Sequence, residues 1–417
     1  MKKLQSIFSP RKVIVWLIVL VLVFTVPTIN QPALSETLAI VTMMCVDKEE
    51  DKIVAVATIL TPGEDKNANY QVFSGDGDTV AEAVDSISLA VGKEMGFAQC
   101  DILALGEKVC EDNIMKILDY MIRTKKVGQN ALLLSFTGEV AEFATATSNL
   151  TMDKSLKLSD VINFDKRYII SQDSNVESFY KNYYSDISIG YMPKIKLQTE
   201  ESGNAIEVPT QSAGTSGQAP SGGGGSGGGQ GGQGQSKYLV TDGSTTIFKK
   251  GKKFYDLTPE EVNNINIFTN DSQKGSIIVE HITDEIFNDA KVVLDVIGKE
   301  TKTKTKFEQG KPVYEIKVKY TVFIDEIVQE HPTEKFLVRE QEFLTDKVIE
   351  KVKEKVTKQM EEAVQLCREQ KMDLLDVYSN FSHLKYKQFK QYLDEVGQEN
   401  FLDGIEFRFD VDISNEY

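Results

Sequence analysis

The chain has 417 residues, a formal net charge of −16 and only three histidines. Residues 1–35 carry four basic and no acidic groups, so the remainder stands at −20. A body that acidic repels nucleic acid and anionic lipid on average, which argues against a polyanion-binding function. His281, His331 and His383 lie about fifty residues apart, without metal-ligand spacing. Cys45, Cys100, Cys110 and Cys367 show no CxxC pairing, Cys45 and Cys100 fall in apolar stretches and Cys367 on a helix face, so buried free thiols are expected and a metal centre is not.

The first predicted element is the apolar run Val13–Val26, which follows Lys2, Lys3, Arg11 and Lys12. A greasy segment behind a cationic head inserts with that head in the cytoplasm, so everything past Pro27 is expected to be exported. Its fourteen residues suit a signal-peptide core, and counting on to Ile29 gives seventeen, enough for a short span. Residues 1–35 are therefore read as a signal or an anchor helix.

An α/β pattern follows. Leu38–Val46 and Ile53–Leu60 read as apolar strands around the acidic turn Asp47–Asp51. Next comes Ser74-Gly75-Asp76-Gly77-Asp78-Thr79, read as a tight turn whose glycines supply positive backbone angles. A phosphate cradle is rejected, because Asp76 and Asp78 would face an anion with like charge and the third glycine of a dinucleotide fingerprint is missing. Thr79 caps a helix through Val80, Val84, Ile87 and Val91, with Glu82 completing the capping pattern. Ile102–Leu105, a Gly106-Glu107 turn, a helix through Ile114–Ile122 and the strand Ala131–Phe136 repeat the logic. Residues 36–200 are assigned to this N-terminal α/β domain.

Thr210–Ser236 contains no charged residue, and its glycine-rich centre cannot bury enough apolar area to offset its chain entropy. Residues 201–236 are read as a flexible linker, whose charge-free part 210–236 has a typical reach of about 30 Å. Beyond it, Thr258-Pro259-Glu260-Glu261 is a capped helix start in a small middle module, 237–275. The final domain, 276–417, is predicted as α+β. It comprises the hairpin strands Thr301–Phe307 and Tyr314–Val322, a long helix near Thr345–Glu369, a helix carrying Leu384, Phe389 and Leu393, and a last strand through Ile405–Ile413. Its sheet is expected to be antiparallel and covered by the long helix. Val348, Val352, Val356, Met360, Ala363 and Cys367 form that helix's apolar stripe, and Lys302, Lys304 and Lys306 form a basic rib on the opposite sheet face.

Three groups of residues carry a family resemblance. Phe73–Thr79 with Glu82-Ala83, Ile102–Glu107 after Phe97, and Leu118–Arg123 resemble the N-terminal region of the Ger(x)C family, the C subunits of bacterial spore germinant receptors. The Thr301–Phe307 strand, the Gly310-Lys311-Pro312 turn, the strand to Glu326 and the lysine-rich helix resemble that family's C-terminal domain in the same order. The resemblance implies a three-domain extracytoplasmic protein of mixed α/β and α+β class. It implies attachment to the outer face of the spore inner membrane, and cooperation with membrane-embedded A- and B-type subunits in the response to amino acids or sugars. The family has no established chemistry and no cofactor. This chain departs from the pattern in lacking a lipobox cysteine ahead of Cys45, which favours a retained helix as anchor, and in having Gln99 where a histidine is frequent.

No nucleophile with its base, metal site or cofactor cradle emerges, so no catalysis is expected. Asp325 and Glu326, as strand neighbours, point to opposite faces and cannot share a substrate. Ser74, Gly75, Asp76, Gly77, Arg123 and Glu326 stand as candidate interaction residues. The competing reading is an anchored ligand-binding or envelope-assembly protein unrelated to spores.

Overall fold

The computed structural model describes residues 38–62, 68–125, 127–154, 158, 162, 174–199, 206–208, 237–270, 275–331, 333, 336 and 344–415. The leader lies outside these residues, as does the charge-free stretch 210–236. Among the described residues no helix is long and apolar enough to cross a membrane.

Two sheets organise the chain, in a mixed α/β fold. The first follows from a buried parallel centre. Strands β1 (Leu38–Glu49), β5 (Ile102–Gly106), β6 (Leu132–Thr137) and β7 (Ile189–Thr199) run parallel and in chain order across it. Buried on both faces, β5 and β6 read as continuous apolar runs. The hairpin strands β2 (Lys52–Pro62) and β3 (Ala68–Gly77) extend one edge, and β4 (Glu94–Gly96) pairs with the start of β1. At the other edge lie β8 (Ile206–Val208), β9 (Lys237–Lys249) and β10 (Lys252–Leu257).

Alternate side chains of β1 fill different cores. Met44 and Val46 meet helices α1 (Val80–Val91), α3 (Met115–Arg123) and α5 (Val176–Tyr183), while Met43 and Cys45 meet α4 (Val140–Lys154) on the far face. A one-turn helix, α2 (Glu107–Cys110), follows β5 directly in place of a plain turn.

The glycine-rich stretch does not separate two bodies in this fold. Val208 and Lys237, which flank 209–236, are register partners in one ladder, and β7 pairs with the other side of β9. The first sheet thus incorporates the strands of the middle module. That module's helix α6 (Pro259–Asn266) carries the expected capping box of Thr258 and Glu261, and buries Val262 and Ile265 in the core of the second sheet.

The second sheet has the order β11 (Gly275–Ile282), β12 (Ala290–Glu308), β13 (Lys311–Val328), β14 (Glu406–Asn415). A two-residue turn, Gln309-Gly310, with φ of 51° and 84°, closes the long β12–β13 hairpin. Helix α7 (Asp346–Glu369) starts at a Thr345 cap and buries the whole predicted stripe. The sheet is mixed rather than antiparallel. After β13 the chain passes through α7 and α8 (Val377–Val396), and β14 then begins beside Val313, the start of β13, so it runs parallel to that strand. Lys385 breaks the helical geometry of α8 and leaves Leu384 64% exposed, whereas Phe389 is buried.

Candidate functional site

The six candidate interaction residues are not gathered into one place. Ser74 to Gly77 finish strand β3, at the edge of the first sheet; they form no turn, and neither glycine has a positive φ. Their glycines answer a different demand, the close crossing of α1. A Cβ on Gly75 would lie 2.4 Å from the Ala83 carbonyl oxygen, and one on Gly77 would lie 2.5 Å from Glu82 Cβ. Asp76 accepts from Lys52 at 3.0 Å, and Arg123 pairs with Asp119 one helical turn back. Glu326 is exposed on β13 in the second sheet, beside a bulge that leaves Asp325 without a register partner.

All four cysteines are free and buried. Burial pushes the Cys100 and Cys367 thiols up to about 12 and raises those of Cys45 and Cys110 further, so none is a ready nucleophile. Nδ1 of His281 lies 2.9 Å from Asp289 Oδ1 at the surface, and no group of three metal-ligating side chains assembles among the described residues. Ion pairs lace the basic rib: Lys302 to Glu300, Lys306 to Glu315, and Lys317 of the next strand to Asp410.

Two polar features stand out, one within the first sheet and one between the sheets, and both were missed from sequence. The first is a buried ionic latch. Lys194 on β7, 8% exposed, donates to Glu107 of α2 at 2.8 Å and to Asp256 of β10 at 2.7 Å. The Thr246 hydroxyl donates to the second Asp256 oxygen at 2.9 Å and lies 2.8 Å from the Ser135 hydroxyl, while Lys253 reaches Asp256 at 2.9 Å. Burial opposes the Lys194 charge, but the two carboxylates outweigh it and hold the ammonium above its ordinary range. Asp256 is likewise held below its usual value despite burial, by Lys194, Lys253 and Thr246. The available signal was one lysine in the otherwise apolar run Tyr191–Ile195.

The second feature is a cleft of about 740 Å³, where residues 182–191, 268–270, 301–314 and 373–383 converge. Its floor is the link between α7 and α8. Asp373, 4% exposed, accepts from the backbone N–H groups of Leu375 at 3.2 Å, Val377 at 3.0 Å and Tyr378 at 2.7 Å, and so caps α8 from inside the fold. Asp376 sits at the cap position with a left-handed φ of 56°. Asn380 donates to the Tyr314 hydroxyl at 3.0 Å, and Asn270 exchanges two hydrogen bonds with the Thr301 backbone, at 2.7 and 3.1 Å. Burial pushes the Asp373 carboxyl up to about 6, against the pull of its three donors. A larger open groove, about 1000 Å³ between α6, α7 and β14, is less promising because several of its carboxylates are committed and Lys358 and Arg368 line it too. Glu261 closes the capping box, Glu362 accepts from Asn264 and Glu406 from Arg408.

This is a two-sheet scaffold with one buried ionic cluster inside the first sheet and a carboxylate-lined cleft between the sheets. Residues 34–197 match the family described as "Spore germination protein N-terminal domain", and residues 243–415 match "Spore germination B3/ GerAC like, C-terminal". The chain belongs to the Ger(x)C family, the C subunits of spore germinant receptors. No curated protein matches it. Among solved structures it is similar to the crystal structure of the GerBC protein. The likeness has a TM-score of 0.51 at 14% identity, covering 90% of this chain and 97% of that one, and so concerns the fold.

Proposed function

We propose that this chain is the non-catalytic C subunit of a nutrient germinant receptor, anchored by its N-terminal hydrophobic segment to the outer face of the spore inner membrane and docked on membrane-embedded A- and B-type subunits. The observation that supports this reading most is the pair of family matches spanning both halves in order. The cationic head and apolar run at residues 2–26 support the anchor and its orientation. The chain divides into an N-terminal part at 36–200, a small middle part at 237–275 and a C-terminal part at 276–417. In this reading the middle part transmits displacement between the other two, because β9 and β10 hydrogen-bond into the first sheet while α6 is buried against the second. Ser74, Asp76, Arg123 and Glu326, all exposed, are the positions first to be substituted in a search for subunit contacts.

The test is affinity purification of a C-terminally tagged chain from detergent-solubilised spore membranes, followed by identification of what accompanies it. The expected result is stoichiometric recovery of one multi-span transporter-like protein and one larger membrane protein, together with loss of nutrient-triggered germination when the gene is removed. Recovery of the chain alone, with germination unaffected by its removal, overturns the proposal.

A further inference from the structure

The joint cleft has an unusual charge balance. Asp186, Asp373 and Asp376 line it, yet among the described residues no lysine or arginine does, in a chain with 47 such residues. The only lining group able to carry positive charge is His383, whose Nδ1 lies 3.3 Å from the Ser379 hydroxyl. Lys249 does not supply the missing charge, since its ammonium is directed at the Lys371 carbonyl oxygen, 3.4 Å away, and no ion pair reaches the three aspartates among the described residues. The walls include the exposed Tyr184 and the half-buried Tyr191 and Tyr378, with Tyr314 buried at their base and present only through its hydroxyl bond to Asn380.

Carboxylates beside aromatic side chains, in a concave site of several hundred Å³, are the chemistry that recognises ammonium groups. We propose that the cleft binds a small organic cation, an alkyl- or quaternary ammonium compound, whose charge is met by Asp376 and Asp373 and whose alkyl part lies against the tyrosines. The rise of Asp373 toward 6 fits a buried carboxylate without a counter-ion, a deficit that a bound cation would remove. Because the walls come from both sheets and the segment between them, an occupant would tighten the joint. The proposal goes beyond the receptor reading and does not depend on it, since the binding is read on the purified chain.

Titration calorimetry on the full-length, detergent-solubilised protein at pH 7.5 would use choline and n-butylammonium, with 3,3-dimethylbutan-1-ol as the uncharged isostere of choline. Choline and butylammonium are expected to bind at least about tenfold more tightly than the alcohol. Asp376→Asn is expected to weaken both cations about tenfold, and lowering the pH to 5 should weaken them again as Asp373 takes up its proton. Asparagine tolerates the left-handed conformation, so Asp376→Asn should fold; Asp373→Asn, which keeps a capping oxygen, is the second variant. Equal affinity for alcohol and cation, no effect of either substitution, or no heat from either cation at about 10 mM, where even a weak site would fill, overturns the proposal.

Discussion

The two sheets meet the same demand, burying apolar faces, in different ways. The first is sandwiched: α1, α3 and α5 cover one face and α4 the other, so its central strands carry little visible alternation. The second is one-sided. Its inner face lies under α7 and α8 in a single core, and its outer face presents ion pairs such as Lys317 to Asp410 and Arg408 to Glu308. A sandwiched sheet gains most from continuous hydrophobicity, a one-sided sheet from strict alternation. The joint belongs to both and holds the buried Asp373, while the buried Lys194 and Asp47 lie within the first sheet.

If the second sheet depends on one core, its centre should be the most sensitive point. Met360 on α7 is fully buried, and Met360→Ala is expected to cost about 3–4 kcal/mol in chemical denaturation; a cost below about 1 kcal/mol would break the one-sided picture. Next comes the latch. Lys194→Ala removes the buried ammonium that bridges Glu107 and Asp256 and leaves Lys253 as their remaining cation, so it should cost about 1–2 kcal/mol, whereas Lys194→Met combined with Asp256→Leu should recover much of that loss.

Asp373 gives a pH signature. Its carboxyl titrates near 6 in the fold and near 3.8 when unfolded, so the protonated form favours the folded state. That contribution is complete below about 3.8, is lost as the pH rises through 6, and amounts to roughly 3 kcal/mol. Asp373→Asn should flatten stability across this window in denaturation curves collected from pH 4 to 7. An unchanged profile would place the titration elsewhere. Gly75→Ala is expected to cost about 1–2 kcal/mol by pushing α1 off β3, a value set by strand–helix spacing and measurable by thermal melting. The exposed Arg123→Ala should cost no more than about 0.5 kcal/mol, since its partner Asp119 is half in water.

The legible parts of the fold follow from this contrast. The α7 stripe, the β12–β13 hairpin and the Thr258 capping box were readable because period and cap chemistry are local. The parallel direction of β14 was not, because it depends on where a two-helix crossover lands. Helix α4 lacked a clear stripe in Val140–Lys154, and its Thr145 and Thr147 hydroxyls turn back to the Ala141 and Phe143 carbonyls. Strand β9 was hidden because it begins at Lys237, directly after the charge-free stretch, and its pairing with Val208 spans that stretch. Family membership was legible from motif order. The latch and the cleft were not, because Lys194, Glu107 and Asp256 come together only through pairing across β5, β6, β7, β9 and β10.

The central claim is that β9, β10 and α6 knit the two sheets into one cooperative body. Native-state hydrogen exchange on the intact chain tests it most directly. The amides of Phe248 and Ile265 should exchange through the same opening, with the same denaturant dependence, as those of Leu103 in the first sheet and Val318 in the second. Exchange of Ile265 and Val318 through a separate, lower-energy opening while Leu103 and Phe248 stay protected would contradict it.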